Sequence, residues 1–252
     1  MNQGPLIYCL INILFFISSS GEDLQFDKLI ENVYENYRVK NDHVKSFICN
    51  GSTIYQEFLS NGDLAKEIFL TRRLYTKGDD QNHDEYLEMS LNGRVLNHSE
   101  MEKQIDEWNR RGKKRGVTNM PLRPATKGFY DYSLLTDTVW NQKIVYRVGF
   151  KARSGIDNVI NGIAYIDQSD HNVVRIEAYP AKIPGVIKMM KMVYHYALVD
   201  GHVVPDSFCF EMKIKVKFLI NFYDRRIKLT DVYSDYRLNV AIPDTLFIHN
   251  NR

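Results

Sequence analysis

The stretch Asn161–Arg237 constrains the fold most, because apolar and polar residues alternate along it in short runs broken by turns, with almost no helical periodicity. Met212, Ile214, Val216 and Phe218 alternate with Lys213, Lys215 and Lys217. Side chains of a strand point to opposite faces in turn, so this run predicts a strand with one dry face and one cationic, wetted face. Strands of that kind build an antiparallel sheet covered on one side only. The 252 residues, 44% hydrophobic and 25% charged, suffice to bury a core and are most economically one globular domain. The 16 Tyr and 13 Phe favour β structure over a helical bundle.

Facing rules sharpen the expectation. If Asp200-Gly201 makes a two-residue turn with uninterrupted pairing, Met192 faces Cys209, and the Met/Tyr side of one strand shares a face with Lys213 and Lys215 of the next. One extra residue reverses the facing. Pro205 cannot donate to a ladder, so a bulge is expected at Pro205–Asp206.

Ahead of this stretch, Phe26, Leu29, Ile30, Val33, Tyr34 and Tyr37 follow the i, i+3, i+4, i+7 spacing of an amphipathic helix, with Asp23 placed to cap it. Strands are expected over Val44–Leu59, Leu64–Thr76 and Glu85–Leu96, the first two joined by Asn61-Gly62-Asp63. Asn92-Gly93 can form a tight turn of its own. Ser99 and Glu102 read as a capping box for a second helix that carries Met101, Ile105 and Trp108 on one face and ends near Gly112. Val117–Lys127, with Pro121 and Pro124, reads as a surface loop or flap, and Phe129–Trp140 as a short helix or turn. A strand over Ile144–Lys151 follows. Further strands are expected near Val159–Asp167, Asn172–Tyr179, Lys188–Val199, His202–Phe218 and Leu219–Leu238, the last broken near Asp224. Residues 241–252 are a polar-ended tail.

Residues 1–20 carry no charged side chain, and Leu6–Ile17 is almost wholly apolar before Ser18-Ser19-Ser20. A dozen apolar residues are too few to cross a hydrocarbon core of roughly 30 Å as a helix but suit a secretory signal cut near Ser20; an uncleaved anchor is the alternative. Export implies an oxidising compartment for Cys49 and Cys209, yet both sit in strand-like stretches as small apolar residues, and two free thiols are expected.

The 33 basic and 31 acidic residues give a formal charge of +2, so no global field steers the chain toward nucleic acid. The one dense basic cluster is Arg110, Arg111, Lys113, Lys114 and Arg115, a candidate partner-binding surface or a solvated helix end complementing the helix dipole. His195, His202 and Asp206 can meet across a hairpin end, where a polar cluster is commoner than a metal site. No phosphate-loop glycines, nucleophile elbow or paired metal-ligand motif is present, so the expectation is a non-enzymatic protein without a cofactor. Met190, Met192, Tyr194, Tyr196, Phe208, Phe210, Met212, Ile214 and Val216 form an apolar face rich in Met and aromatics. Such a face suits an adaptable pocket for alkyl chains and equally an ordinary core beneath the first helix.

Four segments carry a resemblance: Asn92-Gly93-Arg94-Val95-Leu96, Gly162-Ile163-Ala164-Tyr165-Ile166-Asp167, Val174-Arg175-Ile176-Glu177, and Val232-Tyr233-Ser234-Asp235-Tyr236-Arg237. By their order and spacing between Leu24 and Val240, the chain resembles periplasmic lipoprotein carriers of the LolA/LolB type and the outer-membrane lipoprotein-sorting relatives of that family. The resemblance implies a mainly β fold with α: one domain over residues 24–240, its strongly curved antiparallel sheet forming an incomplete barrel around the N-terminal helix and the second, charged helix. It further implies an exported, non-catalytic monomer of the periplasm or cell envelope that holds lipid or lipoprotein acyl chains between sheet and helices. A structural or sensory envelope module that docks a protein through a basic surface is the alternative.

Overall fold

The computed structural model describes residues 24–40, 43–78, 81–112, 118–218 and 221–251. The expected signal segment, Asp23, and Lys113, Lys114 and Arg115 lie outside the described residues. Residues 24–40 form helix α1. Twelve strands follow: β1 Ser46–Phe58, β2 Leu64–Lys77, β3 Gln81–Leu91, β4 Arg94–Val95, β5 Tyr130–Leu134, β6 Thr138–Trp140, β7 Lys143–Ala152, β8 Ile160–Asp167, β9 Val173–Pro180, β10 Ile187–Val199, β11 His202–Phe218 and β12 Asn221–Leu238. Helix α2, His98–Gly112, lies between β4 and β5 in the chain.

All the strands join one open, curved sheet in the order β4-β3-β2-β1-β12-β11-β10-β9-β8-β7-β5, with β6 on β7. The expected class, mainly β with two helices against an unclosed sheet, is the one that forms. β1 pairs with β12, so the first long strand and the last lie side by side at the middle of the sheet.

Directly opposed residues share a face, and the registers trace one continuous inner row: Tyr132, Phe150, Gly162, Ala178, Met192, Phe210, Leu229, Tyr55, Ile68 and Leu91. Met192 belongs to the core beneath α1 and Ile68 to the core beneath α2, so both helices cover the same, concave face. α1 buries Leu29, Ile30, Val33 and Tyr34 against Val148, Phe150, Ile166, Ile176 and their neighbours. Each such side chain is worth about 1.5–3 kcal/mol when fully buried, which holds a helix that alone in water is marginal. α2 buries Met101 against Ile68, Leu70 and Met89, with Ile105 and Trp108 half-buried beside it.

Two tight turns need left-handed backbone. Asn92 and Gly93 have φ of 50° and 79°, and Asp200 and Gly201 have the same pair of values. These are the residues that make two-residue hairpin turns inexpensive.

The structure differs from the sequence reading at several places. The capping box of α2 is Asn97/Glu100, two residues early: Glu100 N donates to Asn97 Oδ1 at 3.1 Å, and Asn97 N donates to Glu100 Oε2 at 3.0 Å. The expected flap is packed down, with Met120 and Leu122 buried and the Thr126 hydroxyl donating to Met120 O at 2.6 Å. Phe129–Trp140 is not helical but supplies β5 and β6. β12 runs through Asp224 without a register shift. The final residues are anchored: Asp244–Asn251 form a 3-10 helix, and Ile242 and Phe247 are buried.

Candidate functional site

The bulge expected at Pro205–Asp206 is there: His195 opposes Ser207 and Tyr196 opposes Pro205, leaving Asp206 as the extra residue. That one residue sets Met190 against Met212, Met192 against Phe210 and Tyr194 against Phe208, all on the concave face, while Lys213 and Lys215 point to the convex one. A second irregularity at Lys188 aligns Ile187 with Ile214.

The nine apolar residues share that face but not one environment. Met192 and Met212 are buried, whereas Tyr194, Tyr196, Phe208 and Phe210 are half-buried at the margin of the core under α1. Tyr194 and Phe208 pack with ring centroids 4.8 Å apart. Burial pushes the Tyr194 phenol up to about 12 and raises that of Tyr196, so both stay neutral. Met190, Ile214 and Val216 continue toward the far end of the strands and are only half-covered. There Ile214 opposes Arg225, which donates to Glu57 at 3.1 Å, so the apolar strip ends at a polar rim.

Between the two helical covers, Ile227 and Leu229 of β12 are half-buried and belong to neither core cluster. With Phe210, at the margin of the core under α1, and the buried Met212, they form an apolar strip between the two core clusters. Arg110 and Arg111 of the basic cluster fall on the last turn of α2.

One polar network on the concave face was not anticipated. Arg72 lies between Asp84 at 3.7 Å and Asp231 at 3.6 Å, with its side chain only 15% exposed. Asp231 also accepts hydrogen bonds from the Thr53 hydroxyl and, at 3.4 Å, from Tyr233. Burial opposes the charge on Arg72, but the two carboxylates outweigh it and its pKa is raised. Burial likewise raises the Asp84 carboxyl, with Arg72 pulling the other way. The signal was readable: Ile68, Leu70, Arg72 and Leu74 alternate, which places an arginine on the dry face.

On the convex face the Arg175 guanidinium stacks 4.1 Å over Trp140, and His195 packs edge-on to the same indole. His195 also meets the Ser207 hydroxyl, while His202 bonds the carbonyl of Lys40 at the end of α1. Of the hairpin residues weighed as metal ligands, His195 and Asp206 thus meet at the Ser207 hydroxyl as part of a polar cluster, and His202 is engaged elsewhere. Cys49 faces inward and Cys209 outward on non-adjacent strands, and both are free thiols as expected.

No protein-family model matches the sequence, and no curated protein does. Solved structures do. A LolA superfamily protein from Nitrosomonas europaea is 13% identical over 86% of this chain and 96% of its own, with a TM-score of 0.39. An outer membrane lipoprotein-sorting protein domain from Vibrio parahaemolyticus is 12% identical over 89% and 97%, with a TM-score of 0.44. A DUF1329 family protein from Desulfovibrio piger is 10% identical over 87% and 97%, also at 0.44.

Proposed function

We propose that this protein is a non-enzymatic, exported binding protein that shelters the acyl chain of a lipid or lipoprotein against the concave face. The carrying observation is the apolar strip of Phe210, Met212, Ile227 and Leu229 between the two core clusters, in which Phe210, Ile227 and Leu229 stay half-buried. Met and aromatic side chains repack around a flexible chain at little cost. A sixteen-carbon chain gains roughly 12 kcal/mol at about 0.8 kcal/mol per methylene if fully buried. Release of cargo requires giving much of that up, which a half-buried strip with a polar rim at Arg225 and Glu57 allows.

The test is displacement of a fluorescent fatty acid from the purified protein, with lipid extraction and mass spectrometry alongside. Phe210→Asp is expected to weaken fatty-acid binding at least tenfold, since a carboxylate then lies against the acyl chain. Absence of both co-purifying lipid and fatty-acid binding in the unaltered protein overturns the reading.

A further inference from the structure

The sheet has a split. β9 and β10 pair over four residues only, Arg175–Ala178 against Met192–His195, although β10 begins at Ile187. Residues 181–186 cross the gap. Around this crossing Tyr179, Ile183, Val186 and Met189 are 50%, 39%, 46% and 36% exposed. Scattered apolar residues on a surface are ordinary, but four within eleven positions at one corner are a concentration. An apolar cleft of about 470 Å³ opens at the same place, lined by Tyr179, Ile183 and Met189 and reaching Met190 of the concave face.

Cations surround these side chains. Lys188 lies between Val186 and Met189 in the chain, and Lys213 is directly opposite Met189. Neither has a carboxylate partner among the described residues, and Lys191 shares Glu177 with Arg175. In a chain of net charge +2 this excess is local.

We propose that this corner docks onto the surface of an anionic lipid bilayer, with Ile183, Val186 and Met189 entering the interface and Lys188 and Lys213 meeting lipid phosphates. The arrangement favours a bilayer over a protein partner. Protein interfaces keep charge to a rim around an apolar centre. Here lysines and apolar residues interleave along the chain, so that long lysine stems lie beside the apolar tips while their ammonium groups stay at headgroup level. Docking stands independently of acyl carriage. If the function proposed above holds, the cleft also sets the concave strip beside the bilayer from which an acyl chain is taken.

The full chain is tested by flotation with vesicles of phosphatidylcholine plus phosphatidylglycerol and of phosphatidylcholine alone. All variants keep residues 1–23, so any contribution from that segment cancels. Anionic vesicles are expected to bind the chain more tightly. Lys188→Glu with Lys213→Glu is expected to weaken that binding about fivefold or more per position. Ile183→Asp with Val186→Asp is expected to weaken it at least tenfold. These residues are exposed, so thermal unfolding is expected to be unchanged, and so is binding of a soluble fluorescent fatty acid. Loss of fatty-acid binding in the unaltered chain with vesicle binding intact sinks carriage and leaves docking standing. Binding that ignores lipid charge and both double substitutions overturns the proposal. So does light scattering that shows the substitutions dissolving a dimer while vesicle binding persists, since the corner then joins two copies of this chain.

Discussion

The concave face has two halves built on different terms. Beneath α1 the inner positions are apolar throughout, and Val148, Ala164 and Ile166 are wholly buried. Beneath and beside α2 the same face carries Arg72, Asp84 and Asp231, and its apolar cluster is much smaller. The first half holds its helix by area; the second holds its strands partly by an ion network whose members depend on one another. A filled core and a charged one therefore flank the half-buried strip, which makes the α2 side the natural place for the concave face to loosen.

The strongest way to break that contrast is to put charge into the filled half. Val33→Asp leaves a carboxylate unpaired under α1 and is expected to cost about 4 kcal/mol or more in urea denaturation. Arg72→Met, which strands two carboxylates, is expected to cost about 3 kcal/mol, and adding Asp84→Leu and Asp231→Leu is expected to recover most of the loss. A triple variant no more stable than Arg72→Met shows that the network is not a unit.

Cys49 reports on the same half. Its thiol is 1% exposed and pushed up to about 11 by burial, whereas Cys209 is half-buried on the convex face. Alkylation is expected to reach Cys209 in the native protein and Cys49 only when the α2 side opens or the chain unfolds, read by mass spectrometry over time. Equal rates remove the distinction between the halves.

The smallest effect is one of pH. The raised pKa of Asp84 means that the folded state holds this proton more firmly than the unfolded one. Its contribution to stability is complete below the ordinary carboxylate value and is lost as pH rises through the raised one. The unfolding free energy of wild type minus that of Asp84→Asn is expected to fall as pH rises over that window, and a flat difference sinks the assignment.

What the sequence disclosed follows from which rules act locally. Alternation and the two-residue turn at Asp200-Gly201 fixed the facing of β10 and β11 tightly enough to locate the bulge at Asp206. The cap of α2 was misplaced because Asn97 and Ser99 both precede a Glu at the right spacing, and only the chain's entry from β4 decides between them. β5 was missed although Tyr130, Tyr132 and Leu134 alternate with Asp131 and Ser133 as a strand requires, because a run of only 5 residues gives little periodicity to read. The flap was misjudged from its prolines, although Met120 and Leu122 were there to pack. The Arg72 network and the split between β9 and β10 depend on which strands become neighbours, which no local rule supplies.

The junction of β1 with β12 has a consequence for biosynthesis. The centre of the sheet cannot assemble until the carboxyl-terminal strand has been made, because β1 must wait for a partner encoded nearly two hundred residues later. Until then the local hairpins on either side can pair, but the two arms of the sheet cannot join. A chain released before β12 is complete leaves both arms with an unpaired edge and is expected to be degraded rather than to persist as a partial product.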